Sequence, residues 1–253
     1  MSIPDSVRVK IERADHHVAN LNTAINEFLK VRPYHILRYV DPGKRPTYQA
    51  TDIQPIPLPI AAIVGDVLQN LRTALDYMAS ALWSRTNAGE FRGYFPIAET
   101  PAKYKSEGLG KIKGLCQCGI NAISAIEPYA GGKGDVLWRL HSLSIIDKHR
   151  LPIVVAAAHL GVHLPTVYPE LFPQSAKSNP WILGVPDMRC PLKDKDILFR
   201  DDPDRELNQD LEFPSFVAIN EPSVFNCQPI IPALRGFIDS VNNVGKDLAP
   251  LFA

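Results

Sequence analysis

The chain is poor in the features that mark several large classes of protein. Four cysteines among 253 residues are too few for a disulfide-dense scaffold. No stretch reaches the roughly 18 consecutive apolar residues that a membrane-spanning helix needs, so we expect no membrane association. Neither sign of charge is in excess, because 27 lysines and arginines balance 27 aspartates and glutamates. A neutral chain lacks the electrostatic signature of nucleic-acid binding, which we therefore do not expect.

The N-terminal segment and the cysteines set expectations for the location of the protein and for the state of its thiols. The segment from Met1 to Lys10 contains no apolar core of signal-peptide length, so we expect a cytoplasmic protein. The sulfur atoms should then be reduced thiols, and these belong to Cys116, Cys118, Cys190 and Cys227. One residue separates the first two, a spacing too short for an ordinary disulfide or zinc pair. We expect no metal and no cofactor.

Long helices are the clearest positive signal. Apolar residues repeat at alternating spacings of four and three, which places them on one face of a helix. The pattern predicts helices over 4–30, 60–86 and 232–248, and the first of these should be the longest. A further helix is predicted over 135–148, where Asp135 can cap its start. A weaker one, interrupted by glycines, is predicted over 109–127.

Strand signals fill two other parts of the chain. Residues 34–53 are rich in aromatic and β-branched side chains on either side of an Asp-Pro-Gly-Lys turn, which predicts a β-hairpin. The second region is 151–220, and the strands predicted within it are 152–159, 181–185, 196–200 and 213–220.

These elements predict an α+β fold in a single domain covering 1–253. Four or more long helices, over 4–30, 60–86, 135–148 and 232–248, should form an antiparallel bundle. The hairpin and a small, mostly antiparallel sheet from 34–53 and 151–220 should pack beside that bundle.

The common sequence motifs of enzymes are missing. The chain has no phosphate-binding loop, no dinucleotide fingerprint, no Gly-x-Ser-x-Gly elbow and no His-Glu-x-x-His pair. Candidate chemistry therefore rests on polar residues placed within apolar helices.

The first such group lies on the helix predicted over 60–86. Spacings of four, three and four place its members on one face, and they are Gly65, Gln69, Arg72 and Asp76. One interpretation is a solvated face with a single Arg72–Asp76 ion pair. The other is a polar face turned inward onto a site, where the glycine permits close approach.

The second group ends the helix predicted over 135–148. Asp147 shares the face of Leu140 and Leu143, and a buried carboxylate needs a partner. The basic run Lys148, His149 and Arg150 either complements the helix dipole or contributes to a site. In the second case Asp147 or His149 meets Arg72 or Asp76 across the bundle. The candidate catalytic residues are thus Arg72, Asp76, Asp147 and His149, and the candidate ligand-binding residues are Gln69, Arg72, Lys148 and Arg150.

The two groups together carry a family resemblance. The run Gly-Asp-x-Leu-x-Asn-Leu-Arg-x-Ala-Leu-Asp at 65–76, followed by Asp-Lys-His-Arg at 147–150, resembles a widespread bacterial family of uncharacterised proteins, over most of the chain. Members of that family often carry histidine where this chain has Tyr77. Arginine, four residues and then histidine is similar to the motif of HEPN-type metal-independent ribonucleases, whose arginine and histidine act on the phosphate and the 2′-hydroxyl. Arg72 matches that arginine, but Tyr77 supplies no general base near neutral pH.

Three hypotheses for function follow. The first is a HEPN-like binding module without ribonuclease activity, acting on a protein partner or as a homodimer. The second is a metal-independent nuclease or nucleotide-acting enzyme that uses Arg72 and His149 on phosphate. The third is a small-molecule binder or enzyme with a cleft between the bundle and the sheet. An enclosed pocket would favour the third, and an exposed apolar patch the first.

Overall fold

The fold is mixed α+β with small antiparallel sheets, as expected. The computed structural model describes residues 3–150, 155–159, 162–163, 182–183, 189–209, 211, 213 and 215–252, with the backbone alone for 155–159, 162–163 and 182–183. Within those residues the helices are α1 (Asp5–Lys30), α2 (Leu58–Ser84), α3 (Pro101–Lys103), α4 (Gln117–Ala125), α5 (Asp135–His149) and α6 (Ile230–Leu248). Two predicted strands are only partly described. Residues 152–154 of the strand predicted at 152–159, and most of the strand predicted at 181–185, lie outside the described residues.

The long helices follow the predicted apolar repeats. On α2 all six predicted positions are buried, and they are Val64, Leu68, Leu71, Leu75, Met78 and Leu82. Helix α1 begins after Pro4 and packs against α2 and α6, while α5 packs against α2 and α6. One detail was wrong, because α2 has 27 residues and α1 has 26.

The weak helix predicted over 109–127 is wrong in its first half. Only Gln117–Ala125 is α-helical, and a π-helical turn at Tyr104–Gly108 and a 3-10 turn at Leu109–Ile112 precede it. Gly114 separates these turns from α4 with a φ of 102°, a conformation that interrupts a helix.

The strands form three antiparallel groups. The predicted hairpin is β1 (His35–Val40) with β2 (Pro46–Thr51), and β6 (Ile197–Arg200) extends it in the order β1-β2-β6. A second sheet has the order β3-β7-β8, from Val155–His159, Ser215–Glu221 and Phe225–Pro229. The third group pairs β4 (Val162–His163) with β5 (Ile182–Leu183).

Among the described residues, two main hydrophobic cores support these elements. The larger lies among the helices and includes Val217 and Ile219 from the inner face of β7. The smaller lies under the first sheet, where Tyr48 is fully buried beside Leu198 and Phe213. Of the helices in the described part of the chain, none is long and apolar enough to cross a bilayer.

The prediction of four reduced thiols is wrong for this structure. Cys116 is bonded to Cys118, and Cys190 to Cys227. The short spacing does not prevent the first bond, because Cys116 is extended just before α4 and Cys118 lies in its first turn. Their Cα atoms are 5.3 Å apart, and those of Cys190 and Cys227 6.1 Å, both within the disulfide range.

Candidate functional site

Arg72 is a buried arginine in the middle of α2. Only 6% of the residue is exposed, and its neighbours Leu71 and Leu75 are fully buried in the helical core. Its Nη2 lies 2.9 Å from Asp76 Oδ1, one helical turn along, and donates a hydrogen bond of 2.8 Å to the carbonyl of Phe95. The predicted ion pair between Arg72 and Asp76 is therefore confirmed, and the interpretation as a fully solvated face is wrong.

Asp76 completes a clamp on the backbone of Phe95. Its Oδ1 accepts a 2.8 Å hydrogen bond from the Phe95 N–H, so the ion pair satisfies both backbone polar groups of that residue. Burial raises the pKa of Asp76, an effect that the Arg72 charge and the Phe95 hydrogen bond oppose. Burial likewise lowers the pKa of Arg72. The clamp fixes the loop before α3 on α2.

Asp147 does not join Arg72. Its carboxylate lies over Gly65, where an added Cβ would stand 2.5 Å from Oδ1. Gln69 Nε2 reaches Asp147 Oδ2 at 3.4 Å and the Ser144 carbonyl at 3.2 Å. The glycine thus permits the expected close approach of α2 and α5. However, the four residues of the polar face of α2 do not meet at one site. Gly65 and Gln69 contact α5, whereas Arg72 and Asp76 hold the Phe95 loop.

The basic end of α5 also separates from Arg72. Lys148, His149 and Arg150 are all exposed. Arg150 forms an ion pair with the buried Glu221 at the end of β7, which connects the helix to the second sheet. Of the three, Lys148 is close enough to act electrostatically on Asp76.

His141 is the residue that the sequence analysis overlooked. It lies on α5 four residues after the buried Leu137, and its Nδ1 is buried without a hydrogen-bond partner. Burial lowers the pKa of His141 to about 3, and the charges of Arg72, Lys111 and Lys148 add to the effect. The sequence does carry a signal for its burial, because His141 lies between Leu137 and Ser144 on the face of α5 that is buried.

A cleft of about 610 Å³ opens beside His141. Helix α5 forms one wall, the 97–111 segment faces it, and Ser223 and Val224 from the turn between β7 and β8 close one end. The cleft therefore lies between α5 and the 97–111 segment, with the β7–β8 turn at one end. Arg72 Nη1, buried and without a partner, belongs to the neighbouring clamp.

Comparison with known proteins gives no match. No family model matches it, and neither the curated proteins nor the solved structures contain a significant match.

The described ranges contain no cluster of metal-ligating side chains. Within them, no three His, Cys, Asp or Glu side chains lie close enough together to hold an ion. What the site offers instead is an uncharged imidazole, nearby ammonium groups and an apolar wall, a combination suited to binding a ligand.

Proposed function

We propose that this chain is a HEPN-like helical binding module without ribonuclease activity, which holds a small molecule in the cleft beside His141. In this proposal α1, α2, α5 and α6 form one antiparallel bundle that carries the cleft. The observation that supports it is a cleft of about 610 Å³ between α5 and the 97–111 segment, closed at one end by the turn joining β7 to β8. Pockets of 300–1,000 Å³, approximately, are typical of small-molecule sites.

The state of Arg72 supports the absence of nuclease activity. A phosphate-binding arginine must be accessible to its ligand, but Arg72 is only 6% exposed and its Nη2 is used by Asp76 and Phe95 inside the protein. Tyr77 is 40% exposed and stands where a HEPN-type enzyme has its histidine. Without a general base, the 2′-hydroxyl of an RNA would not be activated.

A thermal-shift screen tests the proposal. Compounds that bind the cleft should raise the Tm of the wild type but not of Ser142→Trp, in which an indole fills the cleft from α5. Asn121→Trp, on the exposed face of α4, is the matched control and should respond like the wild type. Equal responses in Ser142→Trp would place the ligand elsewhere. Cleavage of a labelled single-stranded RNA that Arg72→Lys abolishes would favour the nuclease hypothesis instead.

A further inference from the structure

The charges around His141 are unbalanced. Arg72, Lys111 and Lys148 all act on its imidazole. The same three cations act on the Asp76 carboxylate, whose Oδ1 already serves Arg72 and the Phe95 N–H. Three cations facing one committed carboxylate create a positive potential, which a bound anion would neutralise.

The acidic residues of the cleft do not remove that potential. Glu99 and Glu107 also line the cleft, together with Lys103. Lys103 Nζ is 2.5 Å from Glu99 Oε2, and Glu107 acts on the same ammonium group. These three exposed side chains leave a net charge of −1 at the rim, which reduces but does not cancel the charge of the three cations and Asp76.

Lys111 has unused donors at the cleft. Its Nζ lies 3.4 Å from the Ile97 carbonyl and 4.8 Å from the centre of the Tyr94 ring. No carboxylate pairs with it among the residues the structure describes. An ammonium group carries three N–H donors, so it retains capacity for an oxyanion.

His141 also lines the cleft and can supply a second donor, and its Nδ1 has no hydrogen-bond partner among the described residues. Its Nδ1 is buried and makes no hydrogen bond, a state that costs free energy unless something fills it. A neutral imidazole can donate one N–H to an anionic oxygen. The anion would in turn stabilise the imidazolium form.

Apolar side chains form part of the remaining cleft lining. Trp138, Ile145, Ile146 and Val224 line it, so a ligand must place an apolar body against them. An indole face and branched aliphatic side chains suit a planar or aromatic group.

On the basis of the proposed function, we infer that the ligand of this cleft is a small organic oxyanion with an apolar body. Its phosphate or carboxylate group is bound by Lys111 and His141, and its apolar part packs on Trp138. The inference rests on Lys111, His141 and Trp138 lining one cleft, on a Lys111 ammonium group with spare donors, and on the unpartnered His141 Nδ1.

Phenyl phosphate is the probe, and phenol, benzylamine and inorganic phosphate are its controls. Titration calorimetry with the full chain should show phenyl phosphate binding more tightly than all three. Lys111→Met should weaken that binding about tenfold, the effect of losing one charge-assisted hydrogen bond. Lys113→Met, two residues away and exposed, should leave it unchanged. Quenching of tryptophan fluorescence on binding should be lost in Trp138→Phe.

A second readout separates binding from a merely structural role of His141. The NMR-detected pKa of His141 should rise when phenyl phosphate binds and stay constant with phenol. Failure of phenyl phosphate to bind, tighter binding of benzylamine, or an unchanged affinity in Lys111→Met would overturn the assignment of an anion. The proposed function would survive those results if other compounds still distinguished wild type from Ser142→Trp, and would fall with it if none did.

Discussion

Gly65 on α2 lies directly under the carboxylate of Asp147 on α5. A Cβ atom at Gly65 would stand 2.5 Å from Asp147 Oδ1 and 2.9 Å from its Cγ, closer than packed atoms approach. Beside it, Gln69 hydrogen bonds to Ser144 and Asp147. This contact sets the distance between two of the long helices, and the walls of the cleft depend on α5.

Gly65→Ala should therefore destabilise the protein, although alanine is the better helix former. Overpacking at such a contact costs about 1–3 kcal/mol of unfolding free energy, measurable by urea denaturation. Gly236→Ala on α6 is the control, since an added Cβ there meets no atom within 4 Å. It should gain up to about 1 kcal/mol. Equal effects of the two substitutions would show that α2 and α5 are not in contact at Gly65.

Leu71 and Leu75 test the register of α2. Both are fully buried in the helical core. Truncation of either to alanine should lower the free energy of unfolding by about 2–5 kcal/mol, from lost burial and the cavity left behind. A cost below about 1 kcal/mol by chemical denaturation would mean that this face of α2 is exposed.

His141 predicts a pH dependence of stability. Its pKa is lowered to about 3 in the folded protein, mainly by burial, and is near 6.5 in an unfolded chain. Below about pH 6.5 the unfolded state binds a proton that the folded state does not. Stability contributed by the neutral imidazole is thus present above pH 6.5 and is lost as pH falls toward 3. The slope approaches about 1.4 kcal/mol per pH unit.

The matched variant is His141→Gln. Urea denaturation at pH 5, 6 and 7 should show a smaller loss of stability on acidification in this variant than in the wild type. Parallel curves for the two proteins would mean that His141 titrates normally in the fold.

The disulfides give a direct chemical prediction. Alkylation of the denatured, unreduced chain should add no mass, and alkylation after reduction should modify all four cysteines. Removing the Cys190–Cys227 bond with Cys227→Ser should cost about 3–4 kcal/mol, because the bond spans 37 residues and restricts the unfolded chain. Cys118→Ser should cost less, since its bond spans only 2 residues. Four modified cysteines without reductant would show that the bonds do not form.

The sequence predicted the long helices well because their apolar repeats are also their buried faces. On α6 every predicted position is buried, from Leu234 to Leu248. Strand β8 was missed because its sequence, Phe-Asn-Cys-Gln-Pro, has little strand character. It forms where β7 offers an edge with which to pair. Such pairing depends on tertiary contacts that no local pattern records.

The part of the candidate site that lies on a single helix was predictable from local sequence. The Arg72–Asp76 pair follows from spacing along one helix. Its other partner is the backbone of Phe95, in a loop 19 residues beyond Asp76, and no pattern of side chains indicates such a contact. The meeting of Asp147 with Gly65 instead of Arg72 likewise depends on how α2 and α5 pack.

Arg72 holds the Phe95 loop on α2, and Arg72→Ala tests this structural role. Removing the guanidinium leaves Asp76 half-buried without its counter-charge and the Phe95 carbonyl without its donor. We expect a loss of about 3–5 kcal/mol in the free energy of unfolding at pH 7. Asp76→Asn should also destabilise the protein, because it leaves the buried Arg72 guanidinium without its counter-charge although the amide oxygen can still accept the Phe95 N–H.

The decisive measurement is urea denaturation of Arg72→Ala beside Arg13→Ala, which removes an exposed arginine from α1. The account predicts the large loss for Arg72 and a change within about 0.5 kcal/mol for Arg13. A change within about 0.5 kcal/mol for both, with RNA cleavage or ligand binding lost only in Arg72→Ala, would contradict it and place Arg72 in an open functional site.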